Sequence, residues 1–204
     1  MNKNITKPKK PEIFQINSKP YGRQYSKWTE KWWQWAFWIP KNQNPIMDKT
    51  GENSGIGQSG PVWYLAGTTG NTSRAKRNCV IPHGRSILFP IIVSQYSRSE
   101  KPGMSDRELI RYISKDINQT SLLEAAVDEI NLTDLSRFRI KSRRTFQLDM
   151  VKDNIWDVKS GTTKAVSDGF WVFLKPLTKG KHTIYFHGIE PNFETSVTYN
   201  IDML

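Results

Sequence analysis

The chain has 204 residues, with 30 Lys and Arg against 19 Asp and Glu (net charge +11), and 12% of it is aromatic. A chain this long buries roughly 70% of the surface it exposes when unfolded, so its core needs no covalent staple. A single cysteine excludes an intrachain disulfide, a cysteine-built zinc cluster and C-x-x-C redox chemistry, and no run of ~18 apolar residues is present to span a membrane as a helix.

Residues 1–20 read as a basic flexible arm: Pro8, Pro11 and Pro20 are spaced by Lys and Asn without a usable period. Residues 1–31 carry eight cations against Glu12 and Glu30, so the remaining chain is only mildly basic. No apolar stretch follows the first basic cluster. As written this is not a signal peptide, which by default places the chain in the cytoplasm. Residues 21–204 read as a single domain.

Ser26 can cap a helix running to about Trp38, ended by Pro40, which pushes Ile39 out of the helical region. Trp28, Trp32, Trp35, Ala36 and Ile39 share one face at 100° per residue, and Trp33 and Phe37 widen it. A helix this apolar predicts burial. Residues 40–60 form a polar loop whose glycines let the backbone pass close to Trp63 or to the helical tryptophans.

Pro61–Ala66 reads as a short buried strand, and Asn71–Arg77 as a basic turn. Cys79–Ile81 and Ser86–Val93 are β-rich around a Pro82-His83-Gly84 turn. Ser105 and Glu108 form a capping box, with Leu109, Ile113 and Ile117 following at helical spacing. Ser121–Ile130 fits a helix or a strand. From Lys164 onward short strands alternate with Gly/Pro turns. The expected fold is mainly β: an antiparallel β-sandwich, immunoglobulin-like or jelly-roll-like, with an N-terminal Trp-rich helix and one further short helix.

Catalytic constellations are incomplete. There is no G-x-S-x-G elbow, and Cys79 sits in an apolar strand context. His182 and His187 are five apart, so on one strand they face opposite ways and cannot share a metal ion. No metal and no cofactor is expected. An enzyme, hydrolase- or isomerase-type, would need a polar site at Asp168, His83 and Gln58.

Two binding patterns stand out. Arg137, Arg139, Lys141 and Arg143 recur at period two, so on a strand they form one basic face for a polyanion, while Phe138 and Ile140 face the core. Gln58, Trp63, Tyr64, Asp168 and Trp171 combine aromatic faces with an amide and a carboxylate, the mixture that binds sugar rings.

Three long blocks carry a likeness: Trp28-Thr-Glu-Lys-Trp-Trp-Gln-Trp-Ala36, Gly57-Gln-Ser-Gly-Pro-Val-Trp-Tyr-Leu-Ala-Gly67 and Ser167-Asp-Gly-Phe-Trp-Val172. With Asn44-Pro45, Asp48, Thr50-Gly51, Cys79, Pro82 and the Pro176–Gly188 hairpin, the chain resembles a family of small, mostly secreted prokaryotic proteins of unassigned activity. The resemblance spans roughly residues 20–203 and implies a fold neighbourhood and no chemistry. Relatives commonly carry cysteines where Ser54 and Ser97 stand here, and usually begin with a signal peptide. The sequence therefore points to a non-enzymatic binding or structural protein contacting a glycan or another acidic polymer.

Overall fold

The computed structural model of the protein describes residues 10–70 and 74–204. The chain is mainly β and runs α1 (Tyr25–Trp38), β1 (Val62–Tyr64), β2 (Ala75–Ile81), β3 (Ser86–Ser97), α2 (Asp106–Ile117), β4 (Leu122–Val127), β5 (Ile130–Asn131), β6 (Arg139–Lys141), β7 (Phe146–Met150), β8 (Gly161–Leu174), β9 (Gly180–Glu190) and β10 (Phe193–Met203). One sheet has the order β1-β3-β8-β6, with β7 also pairing β8; the other is β2-β10-β9-β4-β5. Most pairs are antiparallel as expected, but β1–β3 and β2–β10 are parallel, so both sheets are mixed. The chain leaves β1 for β2 in the opposite sheet before returning as β3, and such a crossover sets two strands running the same way.

The residues of β8 alternate between two cores. Phe170, Val172 and Leu174 meet Ile184, Phe186, Val197 and Ile201 of the facing sheet. Trp171 and Phe173 point the other way and are covered by α1. The five residues expected on one helical face are all buried, and so are Trp33 and Phe37, whereas Trp38 is 66% exposed. Each indole on that face finds a carbonyl at 2.9 Å: Trp28 donates to Pro20, Trp32 to Leu65 and Trp35 to Ile56. A buried indole keeps its N–H satisfied only where loops come close, which ties the loops to the helix.

The helix begins two residues before the expected start, with Gln24 instead of Ser26 at the cap and no side-chain cap bond. It ends where Ile39 turns extended ahead of Pro40. Asn44 then donates to the carbonyls of Ala36 (2.7 Å) and Ile39 (2.8 Å), supplying partners that a helix C-terminus lacks. Farther along the loop, Asp48 accepts from the N–H groups of Thr50, Gly51 and Asn53. Burial opposes the charge of Asp48, but these bonds outweigh it and hold the carboxyl below its usual range. Gly51 is obligatory: at φ +97° an added Cβ would lie 2.1 Å from the Asn78 carbonyl.

Arg77, expected in a turn, lies within β2 and is 1% exposed. Its guanidinium donates to the carbonyls of Asp48 (2.7 Å), Ala66 (2.6 Å) and Gly67 (3.0 Å) and to the Tyr199 hydroxyl (2.8 Å). A charge so placed is neutralised by carbonyl dipoles rather than by a carboxylate, and it pins both loops to the sheet.

Residues 1–9 of the expected arm lie outside the described residues. Residues 12–14 run along the end of β8: Ile13 bridges Leu174, Phe14 donates to the Phe173 carbonyl at 2.8 Å, and their rings meet edge to face. The ambiguous segment 121–130 is strand, because Leu122–Val127 pairs with β9. The capping box of α2 is formed in both directions, and Leu109 and Ile113 pack on Val166 of β8.

Candidate functional site

The residues singled out in the sequence are held in separate places. Gln58 is a loop peg: its amide accepts from the Tyr64 N–H (2.9 Å) and donates to the carbonyls of Ser54 (3.0 Å) and Tyr64 (2.8 Å). Trp63 and Tyr64 are buried, with the Arg85 guanidinium over the Trp63 ring. Burial pushes the Tyr64 hydroxyl well above its ordinary range. Trp171 is wholly buried against Trp32, ring centroids 5.3 Å apart.

Asp168 projects from the other face of β8 and is 0% exposed. Arg139 grips it with a fork, Nε to Oδ1 at 2.9 Å and Nη2 to Oδ2 at 2.7 Å, and Ser114 of α2 donates to Oδ2 at 3.0 Å. Asp168 pairs with Ser94, eight residues along β3 from the turn that carries exposed His83. At about 3.3 Å per residue that is roughly 25 Å. Gln58 lies near β1, which pairs with β3 at Ser86–Leu88. Asp168, His83 and Gln58 share no cleft.

The basic stripe is also divided. Leu135–Phe138 is a 3-10 turn, so Arg137 is not on the strand, and β6 holds only Arg139–Lys141. Lys141 and Arg143 are exposed, but Arg139 turns to Asp168 instead of solvent. The period-two pattern is legible, and the buried carboxylate that claims one of its members is not. Phe138 and Ile140 are buried as expected. The arm cations Lys7 and Lys9, expected to help the stripe hold a polyanion, lie outside the described residues.

A cleft of about 460 Å³ opens elsewhere, beside β3. The β3–β8 register slips between Pro90 and Ile92. Pro90 has no N–H to give a ladder, and a bulge absorbs that defect. Two glycines make room for it. A Cβ on Gly169 (φ +151°) would lie 2.5 Å from the Ile92 carbonyl oxygen, and one on Gly188 would lie 2.7 Å from that of Ile91.

The walls of the cleft come from both sheets, both helices and several loops. Its aromatic and polar lining includes Trp33 of α1, Trp156, Gln95 and Tyr96 of β3, Tyr112 and Asp116 of α2, and Glu190 at the end of β9. Trp33 Nε1, Gln95 Oε1 and Glu190 Oε2 are shielded from solvent and have no hydrogen-bond partner among the described residues. Trp33 is 3% exposed and Gln95 6%. The other end of the Gln95 amide donates to Glu100 at 3.2 Å, and Glu100 also accepts from the Ser97 N–H and hydroxyl.

The cleft is acidic inside a basic protein. Burial, and then the charge of Asp116, push the Glu190 carboxyl up to about 7. Burial, with Asp116, Tyr112 and Glu100 adding to it, pushes the Tyr96 hydroxyl up to about 12. Lys101 is the cation beside them, its Nζ 5.3 Å from the Tyr96 ring centre and 4.7 Å from that of Tyr112. Such a pocket suits a ligand that brings hydrogen-bond donors and positive charge.

Sequence reasoning did not single out Gln95, Asp116 or Glu190. Pro90 inside the apolar run Leu88–Val93 was the readable signal, since proline in a strand marks an edge or a bulge. Among the described residues no group of three or more His, Cys, Asp and Glu is arranged to hold a metal ion, and no helix is long and apolar enough to cross a membrane. No protein-family model matches the chain, and neither curated proteins nor solved structures gave a match.

Proposed function

We propose that the chain is a binding protein, its two facing sheets a β-sandwich scaffold, and that its ligand enters the cleft beside β3 carrying a positive charge. The observation that carries this reading is the Glu190 carboxylate, which shares the cleft with Asp116 and whose Oε2 has no partner among the described residues. A buried carboxylate without a partner is costly, and a bound ammonium or guanidinium relieves that cost. An acidic polymer is disfavoured here, because Glu100, Asp116 and Glu190 would repel it. A glycan fits only if its sugars carry amino groups. An enzyme at Asp168, His83 and Gln58 has no support, given their separation.

Intrinsic fluorescence is the natural readout, because Trp33 and Trp156 line the cleft. Titration with acetyl-lysine amide, glucosamine oligomers, neutral glucose oligomers and heparin separates the classes. Expected are a saturable response to the amines and none to the neutral sugars, with Glu190→Gln weakening amine binding at least tenfold. Heparin binding that Glu190→Gln leaves unchanged, with no response to amines, would overturn the reading.

A further inference from the structure

The cleft has a wall of unpaired backbone. β3 is twelve residues long, and β8 pairs with it over nearly its whole length on one side. On the other side β1 covers only Ser86–Leu88, and among the described residues no strand continues that pairing.

Antiparallel geometry identifies the groups left over. Residues of an antiparallel strand turn both backbone groups alternately to one neighbour and to the other. The Arg98 N–H bonds to the Lys164 carbonyl of β8, so Tyr96, Ser94 and Ile92 also face β8, and Val93, Gln95 and Ser97 face away. Both ends of that open edge are closed. The outward N–H of Ser97 is taken by the Glu100 carboxylate at 2.8 Å, and the outward carbonyl of Leu88 accepts from Leu65 at 3.0 Å. Between them the carbonyl of Pro90 and both backbone groups of Val93 and Gln95 border the cleft.

Sheets protect such edges with charge, bulges or cover, or use them to add a strand. The bulge at Pro90 guards only the start of this edge. The side chains around the rest are unsatisfied: Gln95 Oε1 and Trp33 Nε1 are nine-tenths buried and unpartnered, and Glu190 and Asp116 stand beside them. Glu100, Asp116 and Glu190 together disfavour an anion there. A purely apolar segment could not answer the carboxylates.

We infer that the cleft takes an extended peptide segment of a partner protein, which adds a short strand to the open edge of β3 at Val93 and Gln95 and places a Lys or Arg side chain against Glu190 and Asp116. This rests on the cleft being the cationic-ligand site proposed above. The ladder supplies affinity for any extended backbone, and the carboxylates select the charged side chain. The open edge is about six residues long, roughly 20 Å, so the inserted strand is short.

The test uses a library of N-acetylated, C-amidated pentapeptides with lysine fixed at the centre. Expected is a binder at least tenfold tighter than acetyl-lysine amide. Its binding should slow hydrogen exchange of the Val93 and Gln95 amides at least tenfold and weaken at least tenfold when lysine becomes norleucine. The same peptide N-methylated at alternate residues keeps its side chains but loses ladder donors, and it should not bind. Equal binding by the N-methylated form, or no library member tighter than acetyl-lysine amide, overturns the strand-addition inference and leaves the cleft reading standing. Glucosamine oligomers binding tighter than every peptide also overturns it. If no amine or peptide responds to Glu190→Gln, the cleft reading fails and this inference with it. Val93→Pro, which removes one outward N–H, gives a second check, and the N-methylated peptide serves in its place should that variant misfold.

Discussion

Two carboxylates, Asp168 and Glu190, sit on either side of α2 and meet opposite fates. Asp168 is fully buried and is held by the Arg139 fork and the Ser114 hydroxyl. Glu190 is half-buried beside Asp116, and one of its oxygens has no partner. A buried charge met by a fork and a hydroxyl fixes the positions of three elements relative to one another. A carboxylate left short of partners adds nothing to the fold and is open to something from outside. Composition cannot separate the two, since both are acids ending or interrupting apolar strands.

Breaking the satisfied pair should cost most. Arg139→Ser leaves Asp168 charged and unpaired in the interior, and an expected loss of about 3–5 kcal/mol follows. It would appear as a lower urea midpoint at unchanged m-value. Asp168→Asn should cost less, because the Arg139 side chain is 29% exposed and can turn to water. A loss below about 1 kcal/mol in Arg139→Ser would remove the distinction between the two acids. Ser114→Ala, which takes one donor from Asp168 and leaves the fork, should cost about 1–2 kcal/mol in the same assay.

Glu190→Gln should act in the opposite direction. The folded carboxyl titrates near 7 instead of its ordinary 4.5, so the folded state holds the proton longer than the unfolded chain. Stability contributed by that proton is present below pH 4.5 and is lost as pH rises through about 7. The variant should therefore match the parent at pH 4 and be more stable at pH 8, by an amount that solvent at this half-buried group keeps small. A cationic ligand favours the ionised form, so its affinity for the parent should climb through the same window. Pairing that requires the protonated acid would reverse the slope. The smallest effect is expected for Trp156→Ala. This ring is 37% exposed, and its loss should move stability by no more than about 0.5 kcal/mol while removing part of the ligand-sensitive emission.

Much of the scaffold is readable from the chain. The tryptophan helix follows from its 3.6-residue period and Pro40, and α2 from its capping box. The blocks and matching residues around Asn44, Asp48, Gln58 and Trp171 proved to be loop pegs and core, so residues that look chemical were spent on packing. Arg139 shows the limit most clearly. Period two gives its face, and only the partner 29 residues away decides whether that face meets water. The cleft was least legible, because its residues come from separate elements that meet only when the two sheets and α2 are assembled. Pro90 alone hinted at it.

The helix that carries most of the tryptophans is made early and covered late. Tyr25 on α1 bonds to the Trp171 carbonyl, a contact 146 residues apart in the chain. At synthesis rates of about 5–20 residues per second, the apolar face waits roughly 7–30 s for the strand that shields it. β2 likewise waits for β10, its parallel neighbour and the last strand of the chain. Each sheet therefore waits for a strand made long after its first, and truncation before residue 171 should yield a product that is sticky, protease-sensitive and dependent on holding chaperones.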